Sequence, residues 1–181
     1  LINNAGVIGA SGWEQRQRSA EEDWDLAFEV NVKGVARVTD AIAPHMKERK
    51  YGKIVNIASV AARQGSPLNP SYNASKAAVV NLTQAQSLEL APYDINVNAI
   101  CPSHVSSQMN TRFHNRLAMT VEIAKGMSGE EALENSIRER VPLGRGHTPE
   151  DMGNVVTFLA SDAARAITGQ AINVDGGIRM N

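Results

Sequence analysis

Two short apolar segments on either side of one long helical segment constrain the fold of this chain most. Residues 53–59, Lys-Ile-Val-Asn-Ile-Ala-Ser, have the character of a buried strand and end in a hydroxyl side chain. Residues 71–91 are predicted to form a helix that Pro92 closes, and residues 95–100 a further strand. This order predicts a parallel β-α-β unit and therefore an α/β fold with a parallel sheet.

The remaining chain continues the alternation of strands and helices. Leu1 to Gly6 is predicted to be the end of a strand and its turn, and residues 170–174 the last strand. A long helix is predicted from the capping-box pattern Ser19-Ala20-Glu21-Glu22 to about Lys50, with Gly52 ending it. Its apolar residues recur with a period near 3.6. They are Trp24, Phe28, Val32, Val35, Val38, Ile42 and Met46.

Residues 102–146 form a polar, variable stretch with helices predicted near 112–125 and 129–140. Long insertions of this kind often act as lids over sites. Thr148 is predicted to cap another helix that runs to about Ser161, with Pro149 in its first position.

Bulk composition limits the classes of function. The length of 181 residues predicts one domain, and a composition of 43% hydrophobic and 20% charged residues is typical of a soluble globular protein. The net charge of −1 shows no excess of basic residues, so nucleic-acid binding is not expected. No apolar run approaches ~18 residues, so no membrane span is expected. The single cysteine, Cys101, cannot form an intrachain disulfide, which fits a reducing, cytoplasmic location.

The chemistry-bearing pattern is Tyr72-Asn73-Ala74-Ser75-Lys76, with Ser59 upstream on the predicted strand end. Positions i and i+4 share one helix face, so Tyr72 and Lys76 can point into one pocket. A phenol titrates near pH ~10 and needs a nearby cation to favour the phenolate at neutral pH. Sites in parallel sheets lie at the carboxyl ends of the strands, where Ser59 would meet this helix.

In these motifs the chain resembles the short-chain dehydrogenase/reductase family along nearly its whole length. Each motif is short, but their joint order and spacing are specific. The motifs, in order, are Asn3-Asn4-Ala5-Gly6, Val30-Asn31-Val32-Lys33-Gly34, Ser59, Tyr72 with Lys76, Asn96-Val97-Asn98-Ala99-Ile100-Cys101-Pro102, and Gly169-Gln170-Ala171-Ile172-Asn173-Val174-Asp175-Gly176-Gly177.

The resemblance implies a role for each of four residues. Tyr72 would be the catalytic acid-base, and Ser59 would donate to the substrate oxygen. Lys76 would lower the pKa of Tyr72 and hold the ribose hydroxyls of the cofactor. Asn31 would bend its helix and bind a water that links Lys76 to solvent. Ordinary structural roles are the alternative for each of these four residues.

The resemblance also implies cofactor contacts. In the turn of Asn3, Ala5 and Gly6, bracing of the sheet and contact with the cofactor are equally expected, and Asn3 is the cofactor-facing choice. Besides Tyr72 and Lys76, the loop residues Pro102, Val105 and Ser107 are expected near the nicotinamide. Ser103 stands where relatives usually have glycine, which puts the fine geometry there in doubt. His104 is a weaker candidate for substrate contact.

No metal site is expected, because the histidines show no metal-ligand spacing. The other three, His45, His114 and His147, are predicted to lie at the surface.

The resemblance places Leu1 in the fourth strand of a Rossmann-like, doubly wound sheet. Residues 1–181 are therefore interpreted as the C-terminal two-thirds of a single domain, incomplete at its N-terminal half. Roughly 90 upstream residues would carry the glycine-rich turn that receives the pyrophosphate. The residue that selects NAD or NADP would also lie there, so either cofactor is possible.

The implied function is an oxidoreductase that interconverts a secondary alcohol and a ketone, of polyol, sugar-alcohol or acetoin type. One alternative is an enzyme similar to 3-oxoacyl-carrier-protein reductases, and another is a truncated, non-catalytic binding or scaffold protein. The expected partner is a small-molecule alcohol or ketone. Family resemblance also implies a homodimer or homotetramer, built on helices around 20–50 and 71–91 and on the helix near 150 with the last strand.

Overall fold

Four parallel strands form the centre of the molecule in a computed structural model that describes residues 1–120 and 126–180. In chain order they are β1 (Ile2–Asn3), β2 (Gly52–Ile57), β3 (Ile95–Pro102) and β4 (Ala171–Val174), and they lie side by side in the same order. The predicted parallel β-α-β unit is confirmed, because β2 pairs with β3 from Gly52 opposite Ile95 to Ile57 opposite Ile100.

Helices cover both faces of this sheet. Their bounds are α1 (Glu21–Phe28), α2 (Gly34–Arg49), α3 (Pro70–Leu90), α4 (Gln108–Thr120), α5 (Gly129–Arg140) and α6 (Pro149–Ala160). On one face, Met46 of α2 and Leu90 of α3 pack with Ile54. On the other face, Leu159 of α6 packs with Val55 and Ile100. The predicted doubly wound α/β architecture is therefore confirmed, and burial on both faces explains the apolar strands.

The predicted long helix of residues 19–50 has a wider turn in its middle. Between α1 and α2, residues Glu29–Lys33 form a π-helical turn, closed by the Gly34 amide donating to the Glu29 carbonyl. The face turned inward carries small and polar residues such as Ala27, Asn31 and Thr39. Part of the apolar stripe is exposed instead, with 45% of Val38 accessible to solvent.

The predicted ends of that helix lie within one or two residues of the observed ends. Ala20, not Ser19, occupies the N-cap, where its amide donates to Asp23 Oδ2 at 2.9 Å. Ser19 Oγ lies 2.9 Å from Ser71 Oγ of α3 instead. At the other end Lys50 adopts the left-handed conformation with φ 50°, while Gly52 begins β2 against Met46.

The variable stretch contains the two predicted helices with shifted bounds. Helix α4 begins at Gln108, four residues before the prediction, and its predicted last residues, 121–125, lie outside the described part of the chain. Helix α5 matches its prediction, and α6 begins as predicted, with Pro149 first and the Thr148 side chain accepting from the Asp151 amide. Throughout the described ranges, no helix combines the length and the apolar character needed to cross a membrane.

Candidate active site

The carboxyl ends of β2 and β3 bring the sequence-predicted residues together. Ser59 follows β2 by two residues and begins a short 3₁₀ turn, where its Oγ accepts from the Ala61 amide at 3.1 Å. Tyr72 and Lys76 lie one turn apart near the start of α3. The Ser59 side chain lies beside the Tyr72 hydroxyl, and Lys76 Nζ lies 5.7 Å from the centroid of the Tyr72 ring. The three side chains therefore form one group.

The electrostatics of this group differ from the expectation that Lys76 lowers the pKa of Tyr72. Burial raises the pKa of Tyr72, against the opposing effect of the Ser59 side chain. Burial also lowers the pKa of Lys76 to about 8. Both charged forms are disfavoured because these side chains have left water. In the protein alone the phenol is thus the favoured form of Tyr72 at neutral pH.

Lys76 has hydrogen-bonding capacity to spare for a ligand. Its Nζ donates to the Ile57 carbonyl at the end of β2, at 2.8 Å. An ammonium group has three N–H donors, and among the described residues one of them has a partner.

Asn31 lies in the π-helical turn and is 1% exposed. Its Oδ1 accepts from the Val7 amide, and its Nδ2 donates to the Val7 carbonyl and to Ser75 Oγ, all at 2.9 Å. These bonds join the turn after β1 to α3 and satisfy an amide that would be costly inside an ordinary helix. Asn31 thus lies in a π turn, and the predicted bend and water relay stay predictions.

The turn after β1 approaches the site closely. A Cβ atom on Gly6 would lie 3.3 Å from both Asn31 Oδ1 and Lys76 Nζ, so glycine leaves the space beside Lys76 open. Ala5 is exposed next to it.

Asn3 braces the sheet, and its choice as the cofactor-facing residue was wrong for the side chain. Asn3 Nδ2 donates to Asn56 Oδ1 at 2.8 Å and to Thr39 Oγ1 at 3.2 Å. Asn56 in turn donates to Thr83 Oγ1 of α3. Because Asn3 and Asn56 are paired in register, their side chains share the sheet face that α2 and α3 cover.

The loop after β3 brings Pro102, Val105 and Ser107 to the same end of the sheet. Pro102 is the last residue of β3, and the next amide, of Ser103, donates to the Val174 carbonyl of β4 at 3.3 Å. Val105 forms a bridge with His147, and Ser107 is exposed at the start of α4.

His104 holds this loop against α5. Its Nδ1 lies 2.6 Å from Ser103 Oγ and its Nε2 2.9 Å from Ser136 Oγ. Both ring nitrogens are therefore engaged, which disfavours His104 as a direct substrate contact. Burial lowers the pKa of His104 to about 4, so the ring is neutral at physiological pH.

The predicted surface location of two other histidines was wrong. His114 is 2% exposed, with its ring 5.7 Å from that of His104, and His147 is 6% exposed, with its ring against Gly176. Among residues 1–120 and 126–180, no group of three or more histidine, cysteine or acidic side chains is placed to hold a metal ion.

Sequence reasoning missed two buried charged residues beside the site. Asp23 accepts from the amides of Ala10 and Ala20 and from Arg16, and thereby shapes the loop between β1 and α1. Arg116 of α4 is 2% exposed and reaches the residues that precede α3. Asp23 could have been found from its place three residues after the true N-cap. No sequence signal marked Arg116 as buried.

Known proteins are similar to this chain along nearly its whole length. A family model described as enoyl-(acyl carrier protein) reductase matches residues 1–179. A 3-oxoacyl-[acyl-carrier-protein] reductase of Thermotoga maritima is 38% identical over 178 residues, which cover 98% of this chain and 65% of the relative. The chain therefore spans about two thirds of the length of the curated relatives it matches.

Solved structures show the same fold. An NAD⁺-bound xylitol dehydrogenase is 32% identical with a TM-score of 0.86, over 97% of this chain and 67% of the other. A gluconate 5-dehydrogenase from Burkholderia cenocepacia, in complex with NADP and tartrate, is 30% identical with a TM-score of 0.79, over 98% and 63%. The chain belongs to the short-chain dehydrogenase/reductase family.

Proposed function

We propose that the protein containing this chain is an NAD(P)-dependent oxidoreductase that interconverts a secondary alcohol and a ketone. The observation that carries the proposal is the group of Ser59, Tyr72 and Lys76 at the carboxyl end of the sheet. A phenol that is protonated at neutral pH can donate its proton to a carbonyl oxygen, and it takes the proton back in the reverse direction. Ser59, in contact with that hydroxyl, donates to the same oxygen.

The residues present fit a nicotinamide cofactor. The space that a side chain at Gly6 would take lies beside Lys76, and the spare N–H groups of Lys76 suit ribose hydroxyls. Lys76, Tyr72, Ala5 and Gly6 would hold the cofactor with the Pro102–Ser107 loop, in which Pro102, Val105 and Ser107 are the contacts. When bound, the cofactor supplies or accepts the hydride. Asn31 fixes the position of α3 relative to the turn after β1 through its hydrogen bonds to Ser75 and Val7.

The preferred substrate is a small polyol or sugar-like alcohol. The xylitol and gluconate dehydrogenases are similar in structure to this chain and support this class. The 3-oxoacyl-[acyl-carrier-protein] reductase relative, at 38% identity, supports a second candidate, reduction of a 3-oxoacyl thioester.

The experiment is a nicotinamide absorbance assay on the natural gene product. Xylitol, gluconate and acetoin would be tested with NAD and NADP, and a 3-oxoacyl thioester with the reduced cofactors. Turnover of an alcohol with no turnover of the thioester supports the preferred substrate, and the opposite result supports the second candidate. Cofactor binding without turnover of any substrate would contradict enzymatic function and favour a binding role.

We also propose that the protein forms a homodimer or homotetramer. Apolar side chains lie exposed on α2 and α3, where Leu88 is 79% exposed, and on α6, where Phe158 is 45% exposed. We infer that these side chains belong to the association surfaces that the family resemblance implies on these helices. Leu88→Asp is expected to lower the molar mass measured by light scattering, while Met119→Asp, at an exposed apolar position of α4, leaves the mass unchanged. An unchanged mass for Leu88→Asp, or a monomeric natural protein, would contradict the proposal.

A further inference from the structure

Asn69 stands at the N-cap of the Tyr72 helix but does not cap it. Asparagine in this position normally accepts a hydrogen bond from the second or third helical amide. Within the described part of the chain, the Asn69 side chain makes no such bond. Its Oδ1 accepts instead from Nη1 of Arg116, which lies 47 residues further along the chain.

The same guanidinium holds the preceding residue as well. Arg116 Nη2 donates to the Leu68 carbonyl at 2.8 Å. Leu68 and Asn69 directly precede Pro70, the first residue of α3, and Tyr72 is the third residue of that helix. The two terminal nitrogens of one guanidinium group therefore bind the two residues that precede the Tyr72 helix. A guanidinium suits this role because its donors are fixed in one plane.

The side chain of Arg116 is buried among residues from other segments. It is 2% exposed, and its Cζ lies 5.8 Å from the centroid of the Trp13 ring. Its Nη1 and Nη2 donate to Asn69 and Leu68, whereas its Nε has no hydrogen-bond partner among the described residues. A charge removed from water is costly unless its donors are occupied, so loss of either contact would leave a further donor unpaired. Trp13 lies in the loop between β1 and α1, and Arg116 lies in α4. Three separate segments thus meet at one side chain.

We propose that Arg116 is a positioning residue for Tyr72 and couples α4 to the acid-base hydroxyl. This inference rests on the proposed function. With Arg116 in place, the Asn69 oxygen is held away from the amides of the first helical turn. When either partner of this bond is lost, the segment that precedes α3 is no longer held to α4. The first turn of α3 then changes, and the Tyr72 hydroxyl moves relative to Ser59.

A double-mutant cycle tests the coupling in the natural gene product. Arg116→Met and Asn69→Ala are each expected to lower kcat about 10- to 100-fold, since small misplacements of a reacting group cost this much. The double variant should lose no more than the worse single variant, because both changes remove the same interaction. KM should change much less than kcat.

Arg112→Met is the matched control. Arg112 lies one turn earlier on α4, and its Cζ is 6.0 Å from the same Trp13 ring, but it is exposed and pairs with Glu14. Its kcat should stay within about twofold of the unmodified protein, in line with surface substitutions.

The measurement separates positioning from simple destabilisation. Rates are compared per folded molecule, and circular dichroism gives the folded fraction. If Arg116→Met does not fold, Arg116→Lys replaces it in the cycle with Asn69→Ala. Two results would overturn this inference: losses of kcat that add in the double variant, or an unchanged kcat in both Asn69→Ala and the folded arginine variant. If Tyr72→Phe is inactive in the same assay, the proposed function is unaffected by either result. Normal turnover in Tyr72→Phe would overturn the proposed function and this inference with it.

Discussion

Replacing Tyr72 with phenylalanine is expected to lower turnover by about 10²–10⁴-fold, the contribution of a positioned acid or base. The substitution keeps the ring in α3 and removes the hydroxyl that contacts Ser59. Cofactor affinity should fall much less than turnover, since of the proposed cofactor contacts only the Tyr72 hydroxyl is lost. The measurement is kcat from nicotinamide absorbance, beside the dissociation constant of the reduced cofactor from its fluorescence.

The pH profile gives this prediction a second readout. Burial raises the pKa of Tyr72, so its proton-donating form predominates at neutral pH and suits ketone reduction. Alcohol oxidation needs the deprotonated form, and its rate should rise as the pH increases from neutral. Residual activity in Tyr72→Phe should lack this rise.

Tyr93→Phe is the control, because Tyr93 lies exposed after α3, against Lys47. It should retain the turnover and pH profile of the unmodified protein. Normal turnover in Tyr72→Phe would exclude Tyr72 as the acid-base and the mechanism with it.

Lys76→Met is expected to make the protein more stable while abolishing turnover. Lys76 is 5% exposed, and burial lowers its pKa from 10.5 to about 8. Below pH 8 this lysine is charged in both folded and unfolded protein, and its charge costs the folded state about 3 kcal/mol. Loss of the hydrogen bond to the Ile57 carbonyl offsets about 1 kcal/mol. The net gain at pH 7 is therefore about 2 kcal/mol.

The sign of the pH dependence follows from the lowered pKa. Between pH 8 and 10.5 the folded protein binds fewer protons at Lys76 than the unfolded chain does, so the unmodified protein gains stability from this group as pH rises. The advantage of Lys76→Met should accordingly shrink from pH 7 to pH 10.

Urea unfolding at these two pH values measures the difference. Lys33→Met is the control, because exposed Lys33 pairs with Glu29 in an exposed ion pair and should change stability by less than about 0.5 kcal/mol. A Lys76→Met protein that is less stable than the unmodified one at pH 7, or an advantage that does not change with pH, would contradict the prediction.

The order of strands and helices was predictable because it follows from local pattern. The apolar run of β2 and the helix after Pro70 depend on residues close in sequence, and both appear within one or two residues of their predicted bounds. The residues at helix ends were less predictable. Lys50, not a glycine, takes the left-handed conformation that ends the helix, and Gly52 lies where a side chain would clash with Met46.

The grouping of Ser59, Tyr72 and Lys76 was also predictable, because a parallel sheet places strand ends at one edge. The chemical state of the group was not. Whether Lys76 lowers the pKa of Tyr72, or burial shifts both pKa values against charge, depends on how much water the folded chain excludes.

The sequence by itself thus determined the α/β class, the parallel sheet and the residues that meet at its carboxyl edge, since these follow from local periodicity and chain direction. The tertiary structure alone decided the burial of His114 and His147, the inward turn of Asn3 and the hold of Arg116 on Asn69. Each of these depends on contacts between residues far apart in the chain. Burial and hydrogen bonding across such distances leave no periodic signal in the sequence.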